Sequence, residues 1–265
     1  HADNYGLEPV SPAISFKKVM ARVHEIIAAI APNDSVERYT SLGVDVVKGY
    51  AKIIDPWTVE IKKNDGGTQT LTTKTIVVAT GAAPFVPDLP GIEQSGYVTS
   101  DTLWSKFADL EESPKRLIVL GGGPIGCELA QAFSRLGSKV TQVERAPRLM
   151  GKEDADVAEY AESVLRESGV NVLTSHDALR FERQNGEKVL VVAKEGVEST
   201  IVYDEVIIAV GRKARLNGFG LEDLGIKFDR TIDTDEYLQT LMPNIFAAGD
   251  VVGPYQFTHV AAHQA

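Results

Sequence analysis

An α/β fold, with parallel sheets of buried strands each accompanied by an antiparallel meander, is the fold class this sequence predicts. Three observations predict it. Short apolar runs, such as Leu117 to Leu120 and Val206 to Ile208, have the character of strands buried on both faces. One of these runs passes through a glycine loop into a helix-period stretch. A phrase of strands and turns also occurs twice, ending in Ala79-Thr80-Gly81 and, 130 residues later, in Ala209-Val210-Gly211.

The stretch KRLIVLGGGPIGCELAQAFSRLGSKVTQVE, residues 115–144, organises the chain. After the apolar run come Gly121, Gly122, Gly123, Pro124, Ile125 and Gly126, with the first, third and last in G-x-G-x-x-G spacing. A helix over 125–136 follows, and Ile125, Leu129, Ala132, Phe133 and Leu136 are expected on its buried face. Gly137 stops the helix, and a strand over 139–143 ends at Glu144, 23 residues after the first glycine. Gly121 permits a tight turn, Gly123 lets backbone approach a pyrophosphate at the helix N-terminus, and Gly126 lets helix and strand pack closely. Glu144 can accept from an adenine-ribose 2′-OH. A glycine loop alone is a weak signal; together with strand, helix, second strand and acid it predicts a Rossmann-like dinucleotide-binding unit. A glycine-tightened unit without a ligand is the alternative. Glu144 favours NADH, since a carboxylate repels a 2′-phosphate, whereas Arg145 directly after it keeps NADPH open. Cys127, the single cysteine, reads as a packed small residue.

Composition sets the outer bounds. With 265 residues, 43% of them hydrophobic, the chain can form one large or two modest domains. A net charge of −10 without a basic block argues against a nucleic-acid partner. No apolar run approaches 18 residues, so no membrane span is expected. A lone cysteine allows no disulfide framework within the chain and suits a reducing, cytoplasmic setting. The absent initial Met and the stop at Gln264-Ala265, inside a helical pattern, read as cut ends.

Taken in order, Ser11-Pro12 is a helix start. Phe16, Val19, Met20, Val23, Ile26, Ile27 and Ile30 then form an unbroken apolar stripe of a core-packing helix, ended by Pro32, with His24 beside the stripe. Strands over 45–54, 58–62 and 69–73 surround the turn Asn64-Asp65-Gly66-Gly67, and 76–78 closes that segment as a buried strand. The proline-rich AAPFVPDLPGI suits a domain crossing. Beyond Glu144, a polar helix over 154–167 leads to a strand over 170–173 and a hairpin of 179–183 with 188–193 about Asn185-Gly186. A third strand over 199–203 follows. Near the end, MPNIFAAGD places Asp250 directly after a strand-ending glycine, where an acid points into the ligand crevice of an open α/β sheet. The glycine loop lies 90 residues before Gly211, and an equal count back from Gly81 falls before residue 1. A first nucleotide loop outside this chain is therefore expected. His259 and His263 share a helix face, but no third ligand is evident, so no metal site is expected.

Together, Ala79-Thr80-Gly81, the run Gly121 to Glu128, Ala209-Val210-Gly211-Arg212 and Ala247-Ala248-Gly249-Asp250 resemble the flavoprotein disulfide reductases. These are the pyridine nucleotide-disulfide oxidoreductases, among them dihydrolipoyl dehydrogenase, glutathione reductase and mercuric reductase. GGGPIGCELAQAFSRLGS and the ending FTHVAAHQA look most like the mercuric-reductase-like and dihydrolipoyl-dehydrogenase-like members. The resemblance implies hydride passing from NAD(P)H to FAD and on to a redox cysteine pair. It also implies an oxidoreductase that acts on a small disulfide, metal-ion or lipoyl-type acceptor and works as a homodimer.

By position, Gly121, Gly122, Gly123, Pro124, Ile125, Gly126, Glu144, Arg145 and Gly211 would hold NAD(P)H. Tyr50, Ala51, Ala79, Thr80, Gly81, Gly249, Asp250, Thr258 and His259 would belong to the FAD site, with Thr258-His259 opening a helix toward the flavin. Glu128 matches a family glutamate beside the nicotinamide, here expected without its lysine partner. The domains implied are 1–96 and 213–265 for FAD, incomplete, and 97–212 for NAD(P). The cysteine pair and the dimerisation domain would lie outside this chain, which is expected to lack bound FAD and to be inactive alone. Pro124 stands where glutathione reductase carries a gating tyrosine. A flavin-dependent reductase without a dithiol, or a non-catalytic nucleotide-binding module, are the alternatives.

Overall fold

The computed structural model describes Gly6 and residues 13–265; the helix start at Ser11-Pro12 lies outside the described residues. Along the chain, α1 (Phe16–Ile30) leads through a 3-10 turn to α2 (Val36–Ser41). Strands β1 (Gly49–Asp55), β2 (Thr58–Lys63) and β3 (Thr68–Thr72) precede β4 (Ile76–Val78) and β5 (Ala82–Pro84). Two short helices, α3 (Ile92–Ser95) and α4 (Leu103–Lys106), flank β6 (Val98–Thr99). An alternating run follows: β7 (Arg116–Leu120), α5 (Pro124–Arg135), β8 (Lys139–Val143), α6 (Ala155–Glu167) and β9 (Asn171–Leu173). The second meander is β10 (Asp177–Gln184), β11 (Glu187–Lys194) and β12 (Val197–Tyr203), and it leads into β13 (Glu205–Ile208). Last come β14 (Arg212–Ala214), β15 (Ile245–Ala247) and α7 (Thr258–Gln264).

The chain divides into two compact units. One comprises the described residues up to Ala29 with Val86–Val210, the other Ile30–Phe85 with Gly211–Ala265. The chain leaves the first unit after Ala29, near the end of α1, and returns to it at Val86, within the proline-rich connection and ahead of the boundary at 96 that the sequence suggests. Residues 86–96 join the first unit because Ile92 is buried in its core and the Phe181 N–H donates to Pro90 O at 2.8 Å. Gly91 has φ +80 at that approach, and a Cβ there would lie 1.9 Å from Phe181 O.

In the first unit, five parallel strands take the order β6-β13-β7-β8-β9, with β7 central. Alternation along β7 explains why its sequence is apolar throughout. Leu117 and Val119 enter a core with Leu129, Ala130 and Phe133 of α5, while Ile118 and Leu120 enter a second core with Phe181, Leu190 and Tyr203 of the meander. Helices, parallel sheet and meander thus make three layers. The turn at Asn185-Gly186 has both residues at positive φ, +51 and +84, as a two-residue hairpin requires.

Two helix faces differ from expectation. On α5 the buried residues are Gly126, Cys127, Leu129, Ala130 and Phe133, while Ile125 and Ala132 are exposed and Leu136 is half-buried. The close approach of Gly126 to the glycine loop turns that face inward. On α1 only Phe16 and Met20 are buried; Ile26 and Ile27 are 43% and 45% exposed. The stripe is continuous in sequence, but only its first two turns meet a core. His24 Nε2 lies 3.1 Å from Trp104 O.

The second unit repeats the phrase with fewer parallel strands among the described residues. Its antiparallel meander β1-β2-β3 is followed by β4, which pairs in parallel with β15; β14 pairs antiparallel with β5. The core gathers Ile53, Ile76, Val78, Leu221, Ile245 and Val251. Val77, between two buried neighbours, is 60% exposed, so β4 is not buried on both faces as its sequence suggests. Strand β1 begins at Gly49 rather than at residue 45.

A charged cluster ties the second meander to the sheet. The Arg116 guanidinium donates to Asp204 and, at 2.7 Å, to Glu187, and the Arg116 N–H donates to Asp204 Oδ2 at 2.9 Å. These bonds hold both carboxyls below the usual carboxylate range. A depressed pKa contributes stability that is complete above the unfolded-state value of about 4 and lost as pH falls through the folded-state value. Thermal melts are therefore expected to shift downward as pH is lowered from about 5 to about 3. Asp204→Asn should melt lower at neutral pH and show a shallower acid dependence; an unchanged acid slope would remove the cluster from that account.

Candidate functional site

The glycine loop sits at the C-terminal end of β7, the edge where open α/β sheets bind ligands. Gly121 has φ +118, and a Cβ there would lie 2.2 Å from Ala209 O. A Cβ on Gly126 would lie 2.3 Å from Gly121 O. These two glycines are demanded by the fold itself. Gly123 is different: it is extended, with φ −78, and a Cβ on it would meet nothing within 4 Å. Helix α5 begins at Pro124, and its N-cap residue, Gly123, makes no side-chain cap; no side chain among the described residues caps that N-terminus. The Cys127 N–H donates to Gly123 O at 3.0 Å, so the amides of Ile125 and Gly126 are the first-turn donors without a helical acceptor. Open space above Gly123 and an uncapped helix start fit a phosphate group.

Glu144 closes the loop from the next strand. Its carboxylate accepts from the Gly122 N–H at 2.5 Å and from the Ala146 N–H at 2.6 Å. Gly122 is needed for this contact, because a Cβ would lie 2.8 Å from Glu144 Cγ. Spacing alone pointed Glu144 at a ribose; its second task, bracing the loop, needed the structure. Arg145 turns to Asp177, with Nε 3.1 Å from Oδ1.

Gln142 is a site residue that sequence reasoning missed. Fully buried in β8, it donates to Gly121 O at 3.0 Å and lies 3.5 Å from Cys127 Sγ, while its Oε1 has no hydrogen-bond partner among the described residues. The available signal was an amide inside an otherwise apolar strand, at a position equivalent to a core residue. Cys127 is packed, and burial pushes its thiol pKa up. Native protein is accordingly expected to resist a thiol-modifying chromogen at pH 8 and to release one equivalent after denaturation. Fast native reaction would show an open helix start.

Glu128 is exposed on α5, and no ion pair among the described residues reaches it. Pro124 and Ile125 are also exposed at the helix start. Gly211, with φ +124, is the first residue of the second unit and accepts from the Phe85 N–H at 2.9 Å.

In the second unit, Ala79, Gly81, Gly249, Asp250 and Thr258 line one open cavity of about 750 Å³, within the size range of ligand pockets. Gly249 has φ +80 and its N–H donates to Gln264 Oε1 at 2.7 Å. Asp250 Oδ2 lies 3.7 Å from Arg212 Nε, and α7 begins at Thr258. Other flavin candidates do not line this cavity. Thr80 donates to Arg215 O at 2.8 Å, and the exposed His259 stacks on Phe257. Tyr50 and Ala51 lie on β1, where Tyr50 stacks on Phe219 at 6.0 Å.

A parallel sheet with a glycine loop on its central strand and an acid ending the next strand defines the class of dinucleotide-binding α/β proteins. Comparison with known proteins narrows the class. Residues 9–265 match the family described as pyridine nucleotide-disulphide oxidoreductase, and the chain belongs to that family. It is 36% identical over 265 residues to mercuric reductase of Streptomyces lividans, covering 97% of this chain and 54% of that protein. To a dihydrolipoyl dehydrogenase of Bacillus subtilis (strain 168) it is 34% identical over 269 residues, covering 100% and 57%. The fold is similar to that of the HOCl-induced flavoprotein disulfide reductase RclA from Escherichia coli, with a TM-score of 0.82, 29% identity and coverage of 95% and 56%. The chain thus spans about half the length of these relatives.

Proposed function

We propose that this chain is the nicotinamide-nucleotide-binding part, with a portion of the flavin-binding part, of an FAD-dependent pyridine nucleotide-disulfide oxidoreductase. The observation that carries the reading is the loop at the end of β7: Gly123 faces open space while α5 starts without a cap. Gly121, Gly122, Gly123 and Gly126 present backbone to a pyrophosphate, and the amides of Ile125 and Gly126 neutralise its charge. Glu144 accepts from the adenine-ribose hydroxyl, which makes NADH the favoured coenzyme. Glu128 serves the nicotinamide end, and Gly211 the same coenzyme.

Ala79, Gly81, Gly249, Asp250 and Thr258 hold the flavin, with Thr80, Tyr50, Ala51 and His259 assigned to the same site by family position. When both coenzymes are bound, NAD(P)H supplies hydride to FAD, and the electrons go on to a dithiol outside this chain. The acceptor belongs to the disulfide, metal-ion or lipoyl class, and the whole protein works as a cytoplasmic homodimer. The chain by itself does not retain FAD and is inactive. In support of that, the parallel sheet of the second unit has two strands among the described residues and leaves Val77 exposed.

Calorimetric titration of the chain with NADH and NADPH tests the reading. Saturable binding, tighter for NADH, is expected. Failure of both nucleotides to bind would overturn it, and flavin absorbance in the purified chain would overturn the expected loss of FAD.

A further inference from the structure

Two arginines follow Glu144 closely, and both are engaged. Arg148 donates to the carbonyls of Gly151 and Glu153 at 3.2 and 3.0 Å. Arg145 pairs with Asp177, the first residue of β10. That placement is enforced by backbone. The Ser175 N–H donates to Ala146 O at 2.9 Å and the His176 N–H to Glu144 O at 3.0 Å, with Ser175 at φ +56. The His176 ring is occupied too, its Nδ1 lying 2.7 Å from Thr174 O. Residues 174–177 are therefore laced to 144–146, and the Asp177 carboxylate stands beside the one basic side chain directly following the ribose-reading acid.

We infer that Asp177 is a specificity-determining residue for the coenzyme, holding Arg145 away from a 2′-phosphate. This rests on the nicotinamide-nucleotide reading above. A 2′-phosphate can recruit Arg145 only by taking it from Asp177, and it meets a second carboxylate in doing so. Coenzyme choice is thus set by three side chains: Glu144 accepts from the free hydroxyl, Arg145 is the latent phosphate ligand, and Asp177 restrains it. Both partners are well exposed, at 87% and 56%, so the restraint is modest and sensitive to salt.

The test uses the 265-residue chain with 2′,5′-ADP, 5′-AMP, NADH and NADPH as calorimetric probes at low ionic strength. Asp177→Asn is expected to tighten 2′,5′-ADP and NADPH about two- to fivefold, with 5′-AMP and NADH unchanged within about 1.5-fold. The gain should vanish in Asp177→Asn/Arg145→Ala and in high salt, and Asp177→Glu should keep the wild-type ratio. A gain that persists without Arg145, or equal shifts for phosphorylated and unphosphorylated probes, would overturn the assignment while leaving nucleotide binding intact. If neither 5′-AMP nor NADH binds the wild-type chain, the nucleotide reading falls and this inference falls with it.

Discussion

Gly123→Ala is expected to leave melting stability within about 1 kcal/mol of wild type while weakening NADH binding at least about tenfold. The new methyl group meets nothing within 4 Å, and the backbone there is already acceptable to any residue. What it fills is the space a pyrophosphate would take. Gly126→Ala and Gly121→Ala should behave in the opposite way. Their Cβ atoms would lie 2.3 and 2.2 Å from backbone carbonyl oxygens, and Gly121 has positive φ as well. Neither carbonyl can move without disturbing β7 or its neighbours, so each change should cost about 2–4 kcal/mol before any ligand is added. Melts and titrations of the three variants together separate the ligand-facing glycine from the two that build the turn. Wild-type NADH affinity in Gly123→Ala would remove the loop from the binding site. Full stability in Gly126→Ala would contradict the close packing of α5 on the loop.

Glu144→Ala is expected to damage both fold and binding. The wild-type carboxylate takes one backbone N–H on each oxygen, from Gly122 and Ala146. Removing it strands both donors, at a cost of about 1–3 kcal/mol for a part-buried site. NADH affinity should fall by about tenfold, and discrimination against NADPH should shrink, since the repelling charge is lost. Glu144→Gln separates the two tasks. One amide oxygen still accepts an N–H, but the NH2 then faces the other donor, so the loop is only partly restored. A Glu144→Ala variant that melts and binds like wild type would show that neither task belongs to this residue.

How much of this was legible beforehand depends on the range of the interaction involved. The hairpin at Asn185-Gly186 and strand β8 at 139–143 could be read directly, because turn chemistry and apolar runs act within a few residues. The repeat of meander and buried strand was legible for the same reason. Less legible was the segment 86–96, where Ile92 and Gly91 belong with Phe181, some ninety positions away. Gln142 was passed over because a polar residue in an apolar strand has no visible partner until Gly121 O is placed beside it.

By itself, the sequence determined the β7–α5–β8 unit, the glycine loop and its acid, since each rests on spacing and local backbone preference. It also determined that a second copy of the meander phrase exists. Tertiary structure decided which face of α5 turns inward: a 3.6-residue period defines a stripe, but only the contact of Gly126 with Gly121 O sets its direction. It likewise decided that α1 buries Phe16 and Met20 and leaves Ile26 and Ile27 in water. The coupling of Glu144 to the loop and of Arg145 to Asp177 was beyond any local pattern. Both depend on where separate strands end, and strand ends are brought together by the sheet, not by neighbours in the chain.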